Sequence, residues 1–246
     1  MDKIKLKDTL FESRLKVNIQ DLNEIKQKLS LCEKLGINNV ILEPKNEIFK
    51  IQSKRKEYIQ DLSEVNIYFR NTYYIKDLNE LKQKIKLFKK SEDIISIESP
   101  NQEVQNYASR DSRIDLISFS NYEILRTASD SVLSLARQYN TFIELCLNSI
   151  MIKKKSYQSR VFRSLYKLFN MKIENKLIIS GNFKHLYDLR NPRSMISIVH
   201  TLFDMPIQKA EDAFSRNVLS LLERVKLRND PSRFENGVRI IKKEKS

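Results

Sequence analysis

The stretch Ile94-Ile95-Ser96-Ile97 decides the fold, together with two others of the same kind. These are Val40-Ile41-Leu42 and Leu177-Ile178-Ile179, which are also short, rich in β-branched residues and almost continuously apolar. Continuous runs of this length are typical of strands buried on both faces, as the strands of parallel sheets are. The three stretches therefore indicate a parallel sheet with other layers packed against both of its sides.

Seven candidate strands follow one another at the spacing of repeated strand–helix units. They recur about every 20 to 35 residues, which leaves room for a crossover helix between parallel strands. We predict strands at residues 14–19, 39–43, 65–71, 94–98, 114–119, 142–147 and 177–180. The alternation predicts an α/β fold, a TIM-barrel-like single domain with about seven parallel strands. A doubly wound open sheet is the alternative.

Helix signals lie between these strands. Asp21, Asp77 and Ser129 each precede an amphipathic segment and are predicted N-caps, because their side-chain oxygens accept hydrogen bonds from the first turn. Asn191-Pro192 is predicted to begin another helix, with asparagine as the cap and proline in the first turn. The face of this helix that we expect to be buried consists of Met195, Ile196, Val199, Leu202 and Phe203.

The end of the chain has a different pattern. From residue 206 one amphipathic helix follows another, which predicts extra C-terminal helices beyond the barrel. No linker rich in proline, glycine or serine divides the chain, so we expect one barrel domain over residues 1–228. Residues 229–246 are expected to form a basic, loose tail.

Charge points to the class of partner. The 246 residues include 45 Lys and Arg against 31 Asp and Glu, a net charge of +14. Such a surplus favours a polyanionic partner, either nucleic acid or an acidic membrane surface. No apolar run reaches the roughly 18 residues that a membrane span needs, and the first residues do not resemble a signal peptide. We therefore expect a cytoplasmic protein with no membrane partner.

Counts of a few residue types exclude several kinds of site. Cys32 and Cys146 are too far apart in sequence for a CxxC zinc motif, and we expect two buried, unpaired thiols. Three glycines exclude a GxGxxG dinucleotide loop and a P-loop, and two histidines are too few for most histidine-rich metal sites. We predict no catalytic residue, metal ligand or cofactor in this chain.

Basic residues cluster after the sixth and seventh strands. In a β/α barrel these positions lie at the C-terminal ends of the strands, where functional sites occur. The predicted RNA-binding residues are Lys153, Lys154, Lys155, Arg160, Arg163, Lys184, Arg190 and Arg193. Tyr157, Phe183 and Tyr187 are interleaved with them, and such rings can stack on unpaired bases. The alternative is a solvated charged surface with ordinary packing aromatics.

Three carboxylates form a second candidate constellation. Glu43, Glu98 and Glu144 lie near the C-terminal ends of three predicted strands. Converging carboxylates can hold Mg²⁺ or act as acid and base. No histidine accompanies them in the strands. We favour a structural role, in which each carboxylate pairs with a nearby arginine or caps a loop, because carboxylates at strand ends are common in this fold.

The C-terminal half carries a recognisable order of motifs. Its most characteristic segment is Leu186-Tyr187-Asp188-Leu189-Arg190-Asn191-Pro192-Arg193-Ser194. The others are Ile114-Asp115-Leu116-Ile117-Ser118-Phe119, Phe142-Ile143-Glu144-Leu145, Arg160, Leu177-Ile178-Ile179-Ser180-Gly181, Ala210 and Phe214-Ser215-Arg216-Asn217. In these residues the chain resembles the ribonuclease P protein component 3 family, the archaeal relatives of the eukaryotic 30-kilodalton subunit. It departs from the family in the loop Gly181-Asn182-Phe183, where a run of small residues is usual.

The resemblance implies a barrel related to metal-dependent phosphoesterases, but without metal catalysis of its own. It implies a subunit of the ribonucleoprotein endonuclease that removes the 5′ leader of precursor tRNA. The implied partners are the ribonuclease P RNA, a second small protein subunit that forms a heteromer with this chain, other protein subunits and, indirectly, precursor tRNA. Mg²⁺ is expected with the RNA of that complex. The alternative is a stand-alone metal-dependent phosphoesterase on the same fold.

Overall fold

The computed structural model describes residues 10–47, 51–152, 154–169, 171, 176–229, 233–235 and 238–239. Within them, seven parallel strands form one sheet in the order β1 to β7, each hydrogen-bonded to the next. The strands are β1 (Phe11–Val17), β2 (Asn39–Pro44), β3 (Asn66–Tyr74), β4 (Ile94–Glu98), β5 (Leu116–Phe119), β6 (Phe142–Cys146) and β7 (Leu177–Ser180). This confirms the predicted barrel-like α/β architecture and excludes the doubly wound order.

Helices surround the sheet and complete the strand–helix alternation. They are α1 (Leu22–Lys34), α2 (Ser53–Gln60), α3 (Leu78–Lys84), α4 (Gln102–Arg110), α5 (Tyr122–Leu125), α6 (Asp130–Gln138), α7 (Lys155–Phe169), α8 (Pro192–Phe203), α9 (Ile207–Ala213) and α10 (Arg216–Arg228). Short 3₁₀ turns span Ile85–Lys90, Leu147–Met151 and Leu186–Asp188. Two short antiparallel strands, β8 (Arg233–Glu235) and β9 (Val238–Arg239), follow α10. No described helix is long and apolar enough to cross a membrane.

The predicted caps hold their helices as expected. The side chain of Asp21 accepts a hydrogen bond from the backbone of Glu24, and Asp77 and Ser129 act in the same way at α3 and α6. Asn191 accepts from the backbone N–H of Arg193, with Pro192 as the first residue of α8. These side chains satisfy N–H groups that have no partner inside the helix.

The outward-facing side of each strand packs against the helices. Alternate residues of a strand point to opposite faces, so each strand contributes one set of residues to this outer core and another to the barrel interior. The outer set includes Val40, Leu42, Phe69, Ile95, Ile97, Ile117, Phe119, Ile143, Leu145 and Ile179, all of which are buried. Burial on both faces explains why the strands read as continuous apolar runs in the sequence.

The inward-facing residues at the N-terminal end of the barrel are apolar and form a separate cluster with α10. The strand members are Phe11, Ile41, Tyr68, Ile94, Leu116, Phe142 and Ile178, and the α10 members are Val218, Leu221, Leu222 and Val225. Helix α10 therefore closes this end of the barrel. Arg224 and Arg228 hold it in place by donating to backbone carbonyls of the loops that enter β4, β5 and β6.

The seam between β1 and β7 is closed by residues outside the strands. The backbone N–H of Lys16 donates to the carbonyl of Phe183 over 3.0 Å, and that of Phe11 donates to the carbonyl of Phe214 over 2.9 Å. The side-chain amide of Asn217 donates to the carbonyl of Leu177 over 2.7 Å. The seven strands therefore form a nearly closed barrel, in which the segment after β7 and the junction of α9 and α10 lie in the seam.

The structure corrects one part of the predicted helix packing. Met195, Ile196, Val199 and Phe203 are buried as predicted, but Leu202 is 46% exposed, so the prediction for Leu202 is wrong. The ring of Phe203 instead contacts Phe162 and Phe169 of α7, with both centroid separations at 4.8 Å. Cys32 and Cys146 are buried and unpaired, as predicted.

Neighbouring residues on α8 provide a test of this packing. We expect Phe203→Ala to lower the free energy of unfolding by about 3–5 kcal/mol, because it leaves a cavity between α7 and α8. Leu202→Ala serves as the matched control and should lower it by a clearly smaller amount, about 1 kcal/mol, because nearly half of its side chain is already in water. Chemical denaturation of both variants measures the difference, and equal losses would contradict the assignment of the buried face.

Candidate functional site: the barrel interior and its basic surroundings

The three predicted carboxylates do meet inside the barrel, beyond the apolar layer at its base. Glu43, Glu98 and Glu144 come from β2, β4 and β6, and all three are buried. Two arginines from strands beside these, Arg14 of β1 and Arg70 of β3, are buried among them. The sequence identified the carboxylates but not these partners.

Arg14 joins two of the carboxylates. Its Nη1 lies 2.6 Å from Glu98 Oε1 and its Nη2 lies 2.9 Å from Glu43 Oε1. Nη1 also donates to the hydroxyl of Ser118 over 2.9 Å. Burial alone would lower the pKa of Arg14, but Glu43 and Glu98 hold that pKa well above its usual value. Arg14 is therefore a permanent cation at the centre of the barrel.

Arg70 binds the third carboxylate through two parallel hydrogen bonds. Its Nη1 and Nη2 donate to Oε1 and Oε2 of Glu144 over 2.7 and 2.9 Å. Burial would raise the pKa of Glu144, but Arg70 and Arg14 hold it below its ordinary value. Such bidentate pairs are among the strong forms of charge-assisted hydrogen bonding. The third cation, Lys16, lies 3.1 Å from Glu43 at the mouth, so three cations face three carboxylates.

A fourth buried carboxyl group, Glu12, stands apart from these pairs. Its Oε1 accepts hydrogen bonds from the backbone N–H groups of Arg14 and Gly181, both over 3.1 Å. Its Oε2 has no hydrogen-bond partner within the described chain. Burial raises the pKa of Glu12 to about 8, against the lowering effect of the two backbone donors. Near neutral pH Glu12 is therefore mostly protonated and uncharged. It adds no charge to the network, in which three cations face three carboxylates.

This arrangement leaves little room for chemistry inside the barrel. The carboxylates that a metal ion would need are already bound by guanidinium groups. Burial raises the pKa of the nearby Cys146 thiol to about 12, so it is not an available thiolate nucleophile. Among the described residues, no group of three or more His, Cys, Asp or Glu is placed to hold a metal ion. The interior is best described as a structural ion network.

The predicted basic residues lie outside the barrel and are accessible. Lys154 precedes α7, Lys155 begins it, and Arg160 and Arg163 follow on its exposed surface. Lys184 and Arg190 are exposed in the loop after β7, and Arg193 is exposed in the first turn of α8. Lys153 lies outside the described residues.

Contacts show how these residues are arranged. Phe162 stacks on Phe203 at the end of α8, so the neighbouring Arg160 lies toward that end of the helix. Arg193 lies at the opposite end of α8, and a helix of this length spans about 18 Å. The backbone of Lys184 is bound by Lys28 of α1. The residues therefore extend over several elements, and their contact with RNA stays a prediction.

The three interleaved aromatic residues have different surroundings. Phe183 is buried in the seam, and Tyr157 is half-buried with its ring against Tyr122 at a centroid separation of 5.1 Å. Tyr187 alone among the three is open to solvent, at 88% exposure. Gly181 explains the position of Phe183, because a Cβ at residue 181 would lie 2.0 Å from the Phe183 ring.

Comparison with known proteins identifies the family. A family model described as RNase P subunit p30 matches residues 12–230, which include the seven barrel strands apart from Phe11, the first residue of β1. The chain belongs to this family. A curated relative, ribonuclease P protein component 3 of Methanothermobacter thermautotrophicus, is 25% identical over 151 residues. That match covers 60% of this chain and spans 61% of the length of the relative.

Solved structures show how widely the fold of this p30-family chain is shared. A chain from a cryo-EM structure of an archaeal ribonuclease P with mature tRNA superimposes with a TM-score of 0.70. It is 19% identical, and the match covers 96% of this chain and 100% of the other. A probable 2-pyrone-4,6-dicarboxylic acid hydrolase from Acinetobacter baumannii has a TM-score of 0.61 at 8% identity, over 87% of this chain and 99% of its own. At these identities the likeness concerns the fold alone.

The raised pKa of Glu12 gives a testable pH dependence. In the unfolded chain the carboxyl group ionises near its ordinary pKa of 4.5, whereas in the folded chain it ionises near pH 8. Its contribution to stability is therefore full below pH 4.5 and is lost as the pH rises toward 8. Glu12→Gln should remove this loss, which we expect to be on the order of 2–4 kcal/mol. Denaturation curves across this pH range measure it, with the exposed Glu223→Gln as the control.

Proposed function

We propose that this chain is a protein subunit of ribonuclease P, the ribonucleoprotein endonuclease that removes the 5′ leader of precursor tRNA. One observation carries the proposal, namely the match of the RNase P subunit p30 family model to residues 12–230. The curated relative with the name ribonuclease P protein component 3 supports it. So does the net charge of +14, which suits a partner with a phosphate backbone.

In this proposal the chain is not itself catalytic. It binds ribonuclease P RNA through Lys153, Lys154, Lys155, Arg160, Arg163, Lys184, Arg190 and Arg193, and meets precursor tRNA only indirectly. A second small protein subunit forms a heteromer with it and helps the RNA adopt its active form. Mg²⁺ belongs to the RNA of the complex, which works in the cytoplasm. Residues 1–228 supply the barrel, and residues 229–246 are its basic tail.

The filled interior of the barrel supports a non-catalytic role. A stand-alone phosphoesterase would need carboxylates free to bind a metal or a water molecule. Here the guanidinium nitrogens of Arg14 and Arg70 lie 2.6 to 2.9 Å from carboxylate oxygens of the three glutamates Glu43, Glu98 and Glu144. Replacing these contacts with a metal would leave two buried guanidinium groups unpaired, which is strongly unfavourable.

Reconstitution tests the proposal directly. Ribonuclease P RNA and the other protein subunits are assembled with and without this chain, and cleavage of precursor tRNA is measured. We expect the chain to enter the particle and to raise the cleavage rate. The chain alone, with Mg²⁺ or Mn²⁺, should not cleave precursor tRNA or generic phosphodiesters. Turnover by the chain alone that disappears in Glu144→Gln would replace this proposal with the phosphoesterase alternative.

A second experiment tests the RNA-binding residues. We expect the triple variant Arg160→Ala, Lys184→Ala, Arg193→Ala to reduce the slope of log affinity against log salt by roughly 2–3. The reason is that binding releases fewer counterions once three phosphate contacts are lost. Arg190 is left in place because its Nη1 holds the carbonyls of Tyr187 and Leu189 at 2.7 and 2.8 Å, so its loss would disturb the loop.

The matched control carries three alanine substitutions at exposed lysines on other elements. Lys54 of α2, Lys86 after α3 and Lys226 of α10 are suitable because all three are exposed. The melting temperatures of both variants should equal that of the wild type, since exposed basic residues contribute little to stability. An equal loss of salt dependence in both variants would mean that only net charge matters and that this assignment of contacts is wrong.

A further inference from the structure

Tyr187 is an unusual surface residue. It lies in the middle of the 3₁₀ turn Leu186–Asp188 that follows β7, and its side chain is 88% exposed. No other large apolar or aromatic side chain in the described part of the chain is as exposed. Leaving an aromatic ring in water forgoes the stabilisation that burial would bring, so a ring held in this way suggests a contact with another molecule.

The turn that carries Tyr187 is fixed from both sides. Lys28 of α1, itself buried, donates from Nζ to the carbonyl of Lys184 over 2.7 Å. The side-chain amide of Asn191 donates to the carbonyl of Leu35, also over 2.7 Å. Between them, Arg190 binds the carbonyl of Tyr187 itself. A ring on a fixed backbone is preorganised, so binding does not have to order the loop first.

A groove of about 560 Å³ lies next to this turn, between Leu186 and the exposed face of α1. The residues of α1 that line it are Asn23, Lys26, Gln27, Ser30, Leu31 and Lys34. They fall at i, i+3, i+4, i+7, i+8 and i+11, which is one continuous stripe of a helix. Two leucines provide apolar contact, the amides and the hydroxyl provide donors and acceptors, and no carboxylate is among the lining residues.

The charges of the groove favour an anionic ligand of extended shape. Lys26 and Lys34 are exposed on the same face of α1, about 12 Å apart along the helix axis. Lys184 and Arg190 are exposed on the other side, within the loop that carries Tyr187. An aromatic platform beside a groove bordered by cations is the arrangement that binds single-stranded nucleic acid, in which rings stack on bases and cations follow the phosphates.

We propose that Tyr187 and the α1 groove bind unpaired nucleotides of RNA. One base stacks on the ring of Tyr187, and the adjoining nucleotide lies in the groove. Lys26 and Lys34 contact its phosphates, while Asn23 and Gln27 face the base edge. An unpaired strand fits better than a duplex, because bases inside a duplex are not free to stack on a side chain. This site rests on the proposed function and adds to it residues of α1 that the basic motifs of the C-terminal half did not include.

A second groove on the molecule lacks these features and provides controls. It lies between α3 and α4 and is lined by Lys82, Lys86, Tyr107 and Arg113, among others. Its tyrosine is half-buried beneath the ammonium group of Lys82, and Arg113 is paired with Asp111 at 2.6 Å. Its ring is not free to stack, and one of its cations is already neutralised.

The chain contains no tryptophan, which makes a direct test possible. Tyr187→Trp introduces a single indole, and titration of the full chain with a short oligouridylate should quench its fluorescence, whereas a blunt RNA duplex should not. Tyr139→Trp, at an exposed position at the opposite end of the barrel, is the control and should not respond. Tyr187→Ala should weaken oligouridylate binding by about five-fold to a hundred-fold, the range for loss of one base stack.

The two lysines are tested with the same probe. Lys26→Ala with Lys34→Ala should reduce the salt slope by roughly 1.4, the value for two phosphate contacts on a single strand. The control pair, Lys82→Ala with Lys86→Ala, should leave the slope unchanged. Unaltered binding in Tyr187→Ala, or equal effects of the two lysine pairs, overturns this site. If these variants still support reconstituted cleavage at the wild-type rate, the proposed site is wrong but the proposed function stands. A wild-type chain that never enters the particle contradicts the proposed function itself.

Discussion

The pairing of Arg14 and Arg70 with three buried glutamates is the constraint on which the barrel depends. Each charge comes from a different strand, so the network forms only when β1, β2, β3, β4 and β6 are all in place. Removing one member would leave a buried charge without its partner, at a cost of about 3–5 kcal/mol. A one-residue slip of any strand would turn its charge outward among apolar helices. The ion pairs therefore specify the register of the sheet as much as they stabilise it.

Closure of the barrel follows from segments that are not strands. Phe183 lies in the seam between β1 and β7 near the C-terminal end of β1. The carbonyl of Phe214 meets β1 at the N-terminal end of the same seam. Asn217, the first buried residue of α10, fixes that helix to β7. This explains why Phe214-Ser215-Arg216-Asn217 belongs with the motifs of the barrel rather than with a separate helical appendix. The same helix covers the apolar base, so closure of the seam and of the base is one event.

The sequence predicts the strands well because burial on both faces makes them continuously apolar. It predicts the convergence of Glu43, Glu98 and Glu144 because parallel strands end on the same side. It does not reveal that Arg14 and Arg70 point inward. Which face of each strand points to the interior is decided only when the sheet curls into a barrel. The prediction that Leu202 is buried is wrong for a related reason. Helical spacing places it about 70° from the centre of the buried face of α8, and periodicity does not tell how wide a face the neighbouring helices cover.

Filling the interior with ion pairs changes which surfaces remain for function. Barrel enzymes work at the C-terminal mouth, through residues that point toward the axis. In this chain Lys16 and Glu43 form an ion pair at 3.1 Å on that side of the barrel, so these two side chains already have partners there. Lys28 connects the two regions, because its ammonium group binds the carbonyls of both Lys16 on β1 and Lys184 in the loop after β7. The residue that braces the closed seam is thus also the one that fixes the turn carrying Tyr187. The proposed stacking of an RNA base on Tyr187 makes use of this fixed turn, because a ring on a rigid backbone needs no ordering before it binds.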